Sequence, residues 1–217
     1  MGEFIIPTLD DVFAVLGAGG HRPILLYIDK GSKAPNFPGW QNTTYELTQQ
    51  PAYRQNLRRY ANTGVLLGQE ENLCTVDCDT ENFFAEFFHL NGAFASTLIS
   101  QGEKGGQFWF YPQGSRPTQI HKLWCARDSR LALGVDPQKI DPKTGLAHIG
   151  EWRAEGGQSL IRGVHPCGCN YKWLRSVVPI AFAFESILWP GALSSLGDAT
   201  NAIARHNRSA RRPKTIS

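Results

Sequence analysis

The chain has 217 residues, 41% of them hydrophobic, and a formal net charge of +3. That is enough apolar material for a real core, so one domain, or one domain with an appendage, is expected. No apolar run reaches the length of a membrane span. Five cysteines, an odd number in two close pairs plus Cys125, argue against a secreted disulfide framework and for a reducing compartment.

Met1-Gly2-Glu3-Phe4 lacks a basic stretch followed by an apolar one, so no signal peptide is expected. Thr8-Leu9-Asp10-Asp11 reads as a capped helix start, with Thr8 as N-cap and Asp11 three residues on. The helix should run to Leu16 and stop at Gly17 to Gly20. Pro23 to Tyr27 reads as a strand, and Lys30 to Trp40 as a loop rich in Gly and Pro that carries Lys33. Gln50 to Asn62 has helical spacing with a basic face of Arg54, Arg58 and Arg59.

Gly64 to Gly68 and Leu73 to Thr80 read as two buried strands joined by the polar turn Gln69 to Asn72. The second ends in Asp77-Cys78-Asp79. Residues i and i+2 of a strand share a face, which sets the two carboxylates roughly 7 Å apart. Such a pair repels unless a cation lies between, and hard divalent ions prefer oxygen ligands. The alternative is a turn in which Asp79 or Thr80 caps the next helix, Glu81 to Leu90. That helix carries Phe83, Phe84, Phe87 and Phe88, read as a wide core-facing stripe.

Thr97 to Ser100 and Gln107 to Tyr111 read as strands of a hairpin whose turn holds Lys104 and Gly105-Gly106. The polar segment Pro112 to Gly150 shows no clear order of elements. Glu151-Trp152-Arg153 begins a strand, Gly156-Gly157 turns, and Gln158 to Ile161 returns. His165 to Trp173 closes the β-rich part, and Pro179 to Trp189 is an apolar strand or helix. Helices early and hairpins later suggest an α+β domain with a largely antiparallel sheet.

His165, Cys167 and Cys169 lie close in sequence. Zinc sites favour Cys-x₂₋₄-Cys, so Cys-x-Cys is a poor match and thiols without metal are the expectation. Cys74 and Cys78 read as core residues. Residues 1–195 are taken as the folded unit, and 196–217 as a basic, flexible tail. No acidic residue follows Asp198, while Arg205, Arg208, Arg211, Arg212 and Lys214 do. Such a tail attracts nucleic acid, or is simply a solvated terminus or linker.

Four features stand in order: Lys33-x-Pro35…Gly39-Trp40; Asp77-x-Asp79; Gly105-Gly106 leading into Trp109 and Phe110; and Glu151-x-Arg153…Gly156-Gly157 ending in His165-Pro166…Tyr171-x-Trp173. This succession resembles the primase-polymerase (prim-pol) domain of the archaeo-eukaryotic primase superfamily. The resemblance spans roughly Ile24 to Trp173. It implies an RRM-like, mainly antiparallel catalytic sheet packed with an N-terminal α/β module, the two interlocked modules of a catalytic domain over residues 1–195. It also implies a DNA primase/polymerase that transfers nucleotides from nucleoside triphosphates to a 3′-hydroxyl or starts primers, using Mg²⁺ or Mn²⁺. Asp77 and Asp79 match the acidic pair, and Glu151 the third acid, as catalytic and metal-binding residues. Arg153 falls where the family has a basic residue near the incoming triphosphate.

One position departs. The family has a phosphate-contacting histidine in the hairpin after Gly-Gly, and here Gln107 or Phe108 holds it. Lys104, Gln107 or His165 would then supply the nucleotide contact, with Lys33 as a further cation. The implied partners are a DNA template or primer, nucleoside triphosphates and a replicative helicase, with no membrane. The implied setting is cytoplasmic, in prokaryotic plasmid or phage replication. The alternative reading is a catalytically weak nucleic-acid-binding module for replication initiation that keeps the fold. A glycosyltransferase using Asp-x-Asp is more distant, because the Glu151-Trp152-Arg153 unit and the lack of a Rossmann-like opening argue against it.

Overall fold

The structure, a computed structural model, describes residues 4–68 and 72–193. The basic tail from Arg205 to Lys214 and the middle of the Gln69–Asn72 turn lie outside the described residues. Helix α1 spans Leu9–Leu16 and starts as expected: the Thr8 hydroxyl accepts from Asp11 N, and the Asp11 carboxylate accepts from Thr8 N, a full capping box. Strand β1 (Leu25–Ile28) follows. Helix α2 (Tyr45–Gln49) is capped by Thr44, and α3 (Pro51–Arg59) carries Pro51 in its first turn, where a missing N–H costs nothing.

Strands β2 (Asn62–Leu66) and β3 (Cys74–Cys78) are both buried, as their apolar runs require. They do not belong to one sheet. β2 sits between β1 and β8 (Gln158–Arg162) in a three-stranded sheet, whereas β3 lies inside a seven-stranded one. The larger sheet runs in the order β6 (His121–Ala126), β7 (Leu146–Arg153), β3, β5 (Gly106–Gln113), β4 (Ile99–Gln101) and β9 (Lys172–Arg175). Strand β10 (Ile180–Ala183) runs parallel to β5; the other pairings are antiparallel. The α+β architecture with a mainly antiparallel sheet is therefore present.

The return strand β8 differs from its sequence reading. It leaves Glu151–Arg153 at the glycine turn and joins the small sheet rather than pairing with β7. This locks the two sheets together, and Thr75 Oγ1 and Ser159 Oγ lie 3.1 Å apart across them. The segment between Pro112 and Gly150 is ordered around β6, two 3₁₀ turns and the start of β7.

Helix α4 (Glu81–Leu90) covers one face of the large sheet. Phe83 and Phe87 are fully buried, and Phe84 and Phe88 pack against the same core, so the aromatic stripe is a core stripe. Its N-cap is Thr80, whose hydroxyl accepts from Phe83 N and donates to Leu131 O. Asp79 is thus not needed as a cap.

Candidate active site

Antiparallel pairing sets opposite residues on one face. Asp77 of β3 is opposite Glu151 of β7 on one side and Gln107 of β5 on the other. Three groups from three strands therefore form one row across the middle of the sheet. The β4–β5 turn fits against the end of β3 only because it is glycine: a Cβ on Gly105 would lie 1.8 Å from the Cys78 carbonyl oxygen. Gly150, just before Glu151, answers a similar demand, since a Cβ there would lie 2.2 Å from Asp77 O.

This row forms the floor of a cavity of about 760 Å³. Asp77, Asp79, Glu151, Arg153, Gln107, Lys104, Lys33 and His165 all line it. The sequence had separated these residues by more than a hundred positions, and the two sheets bring them together. The five basic tail residues lie outside the described part of the chain.

The charges in the floor are already partnered. Arg153 Nη2 lies 2.7 Å from Asp77 Oδ2, and its Nε donates to Glu151 Oε2 at 2.8 Å. Lys139 Nζ donates to Asp79 Oδ2 at 2.8 Å. Arg153 is thus a carboxylate partner first, and its reach toward a triphosphate passes through these acids. Burial pushes the Asp77 carboxyl above its ordinary value; Arg153 opposes this, while Asp79 and Glu151 add to it and Gln107 donates a steadying hydrogen bond. Burial works against the charged Arg153, but the Asp77 and Glu151 carboxylates outweigh it and raise its pKa.

Two residues of the site were not singled out in the sequence. Lys139 comes from a 3₁₀ turn in the segment that gave no clear pattern. His148 comes from β7. By plain alternation it would face away from Glu151, three positions on. A bulge between the Leu123–Gly150 and Trp124–His148 pairs inserts an extra residue in β7 and re-aims it. Its ring stands between two acids, with Nδ1 3.6 Å from Asp79 Oδ2 and Nε2 3.7 Å from Glu151 Oε1. Nε2 is buried without a hydrogen-bond partner. Burial lowers the His148 pKa despite the pull of Asp79 and Glu151, so the ring favours its neutral form.

Lys104 reaches from its turn to donate to Gly134 O at 2.9 Å. Gln107 occupies the hairpin position opposite Asp77, and its Oε1 accepts from Ser100 Oγ at 3.3 Å. A histidine therefore does enter the site, but from β7 rather than from the hairpin.

The family model described as bifunctional DNA primase/polymerase, N-terminal (Prim-Pol) matches residues 6–184. The chain belongs to this family. The match covers most of the chain, both sheets and every residue of the cavity floor. A search of curated proteins gave no match. Prim-Pol membership carries function of the DNA primase/polymerase type, acting on DNA and nucleotides, and Prim-Pol enzymes are generally metal-dependent.

The floor carries oxygen donors of the kind hard divalent ions take. Asp77 of β3, Asp79 just past its end and Glu151 of β7 bring three carboxylates, and His148 Nε2, without a hydrogen-bond partner among the described residues, stands beside Glu151. Each ion pair described above uses one carboxylate oxygen and leaves a second. Among the described residues no helix is long and apolar enough to cross a membrane.

Proposed function

We propose that this Prim-Pol domain is a template-directed nucleotidyltransferase that extends or starts primers on DNA from nucleoside triphosphates. The observation that supports it most is the row Glu151–Asp77–Gln107 at the floor of a cavity walled by lysines. Asp77, Asp79 and Glu151 would hold Mg²⁺ or Mn²⁺. Bound there, the ion supplies a Lewis acid for the attacking 3′-hydroxyl and positive charge for the pyrophosphate leaving group.

The protein's own groups have separate tasks in this reading. Arg153 fixes Asp77 and Glu151 in orientation through two charge-assisted bonds. Lys33 and Lys104 offer ammonium groups to the triphosphate from the cavity wall, and the Gln107 amide takes the place of the hairpin histidine. Lys139 stays on Asp79 Oδ2 and leaves Oδ1 for the ion. Residues 1–195 form the working unit, and the basic tail adds sequence-independent affinity for single-stranded DNA that salt weakens. The same reading puts the protein in a prokaryotic cytoplasm, in plasmid or phage replication, with a replicative helicase as partner.

The test is incorporation on a primed and an unprimed DNA template, with Mg²⁺ or Mn²⁺ and with ribo- or deoxynucleotides. Activity should fall on the order of 10²- to 10³-fold in Asp79→Asn and in Glu151→Gln. A second reading keeps the fold as a nucleic-acid-binding module without turnover. Gln107 in the histidine position and the existing Arg153 and Lys139 pairs favour it. Template binding without incorporation under any of these conditions would select that module.

A further inference from the structure

Away from the carboxylates, a second set of donors converges on the rim of the cavity. The hairpin between β8 and β9 folds His165, Cys167 and Cys169 together, with one donor atom of each within 4.8 Å of the others. Two backbone bonds close it, His165 N to Cys169 O and Gly168 N to His165 O, both 2.8 Å. The Cys167 and Cys169 sulfurs lie 2.6 Å apart, and an ion held by both at about 2.3 Å would part them to roughly 3.8 Å. His165 Nδ1 lies beside them: it accepts from Cys167 N at 3.2 Å, a bond it gives up to take an ion, and lies 3.8 Å from Glu103 Oε2.

This arrangement differs from that of the other thiols. Cys74, Cys78 and Cys125 are buried, whereas Cys167 is exposed and Cys169 half-buried. The spacing Cys-x-Cys argued against a metal when read along the chain. In the fold, the hairpin supplies a histidine, and the β4–β5 turn brings a carboxylate from sixty-odd residues away. The turn approaches so closely that a Cβ on Gly102 would lie 3.1 Å from Tyr171 Cε1 and 3.3 Å from His165 Cδ2. Two sulfurs and one imidazole make three of the four donors zinc takes, and Glu103, 3.8 Å from His165 Nδ1 and half exposed, is at hand for the fourth.

We propose that Cys167, Cys169 and His165, completed by Glu103, bind one soft divalent cation of the zinc class. Thiolates prefer soft ions and carboxylates hard ones, so the two sites of this cavity sort their metals by ligand chemistry. The ion ties the β4–β5 turn to the β8–β9 hairpin. Both segments line the cavity, so the tie stiffens its rim. His165 is then a metal ligand and not a direct contact for phosphate. This site does not depend on the nucleotidyl-transfer reading.

The probe is Co²⁺, added to the full chain after reduction and treatment with a chelator. One Co²⁺ per chain should bind, with a thiolate-to-metal absorption band. Cys167→Ser/Cys169→Ser should lose the band and the uptake, with its metal-free melting temperature unchanged. Glu103→Gln should keep the band and bind at least about tenfold more weakly. Glu151→Gln should match the wild type, which separates this site from the carboxylates. No band in the reduced wild type would overturn the proposal. So would a band that persists in the double serine variant, or one that Glu151→Gln removes.

Discussion

Cys74, Val76 and Cys78 point from β3 into a core of phenylalanines, while Thr75 and Asp77 between them point to the other side. On the first side Phe108 alone packs its ring against Phe84, Phe87, Phe88 and Phe94. On the second, Asp77 faces Glu151, Gln107 and Arg153. The apolar face gains free energy by leaving water. The charged face gains little, because desolvation offsets most of the attraction between its ions. The first face therefore holds the register, and the register holds the second. A slip of one residue would bury the acids and expose the core.

Cutting the apolar face should have the largest effect on stability. Phe108→Ala, fully buried, should cost about 3–5 kcal/mol in denaturant unfolding. Gly150→Ala, which presses a Cβ on the Asp77 backbone, should cost about 1–3 kcal/mol. It should also reduce nucleotide incorporation beyond what that loss explains, because it parts Glu151 from Asp77. Lys139→Met removes a partly exposed ion pair and should change stability by no more than about 1 kcal/mol.

The smallest effect should be that of Asp77→Asn on the metal-free protein, which should unfold no more easily than the wild type at neutral pH. Burial raises this carboxyl in the folded chain, so the folded state holds its proton more tightly than the unfolded one. The wild type should then gain stability from this group as pH falls through the folded pKa, with the gain complete below the unfolded value of 3.8. Asp77→Asn should lack that gain in unfolding measured across this window. An unchanged pH profile would show that the charged face is not under the strain described here.

Much of this was legible along the chain because it is local. The Thr8 capping box and the phenylalanine stripe each rest on spacings of a few residues. Pairing between distant strands was not. Nothing near Gly156-Gly157 reveals that β8 crosses to the small sheet, because its apolar run suits either one. His148 was hidden by a bulge that breaks alternation. Lys139 was hidden in a short 3₁₀ turn between β6 and β7 that no periodicity announces. The cluster at His165 was set aside on spacing alone, and its convergence appears only with the hairpin closed.

The central claim is that Asp77, Asp79 and Glu151 act as one site for a hard divalent ion. Thermal melting of the wild type and Asp77→Asn, each with and without Mn²⁺ and a nucleoside triphosphate, tests it most directly. An ion that binds only the folded state raises its melting temperature. The wild type should shift upward with Mn²⁺ and further with the triphosphate, and Asp77→Asn should lose most of that shift. A wild type that does not respond to Mn²⁺, or an Asp77→Asn variant that responds as fully, would contradict the account.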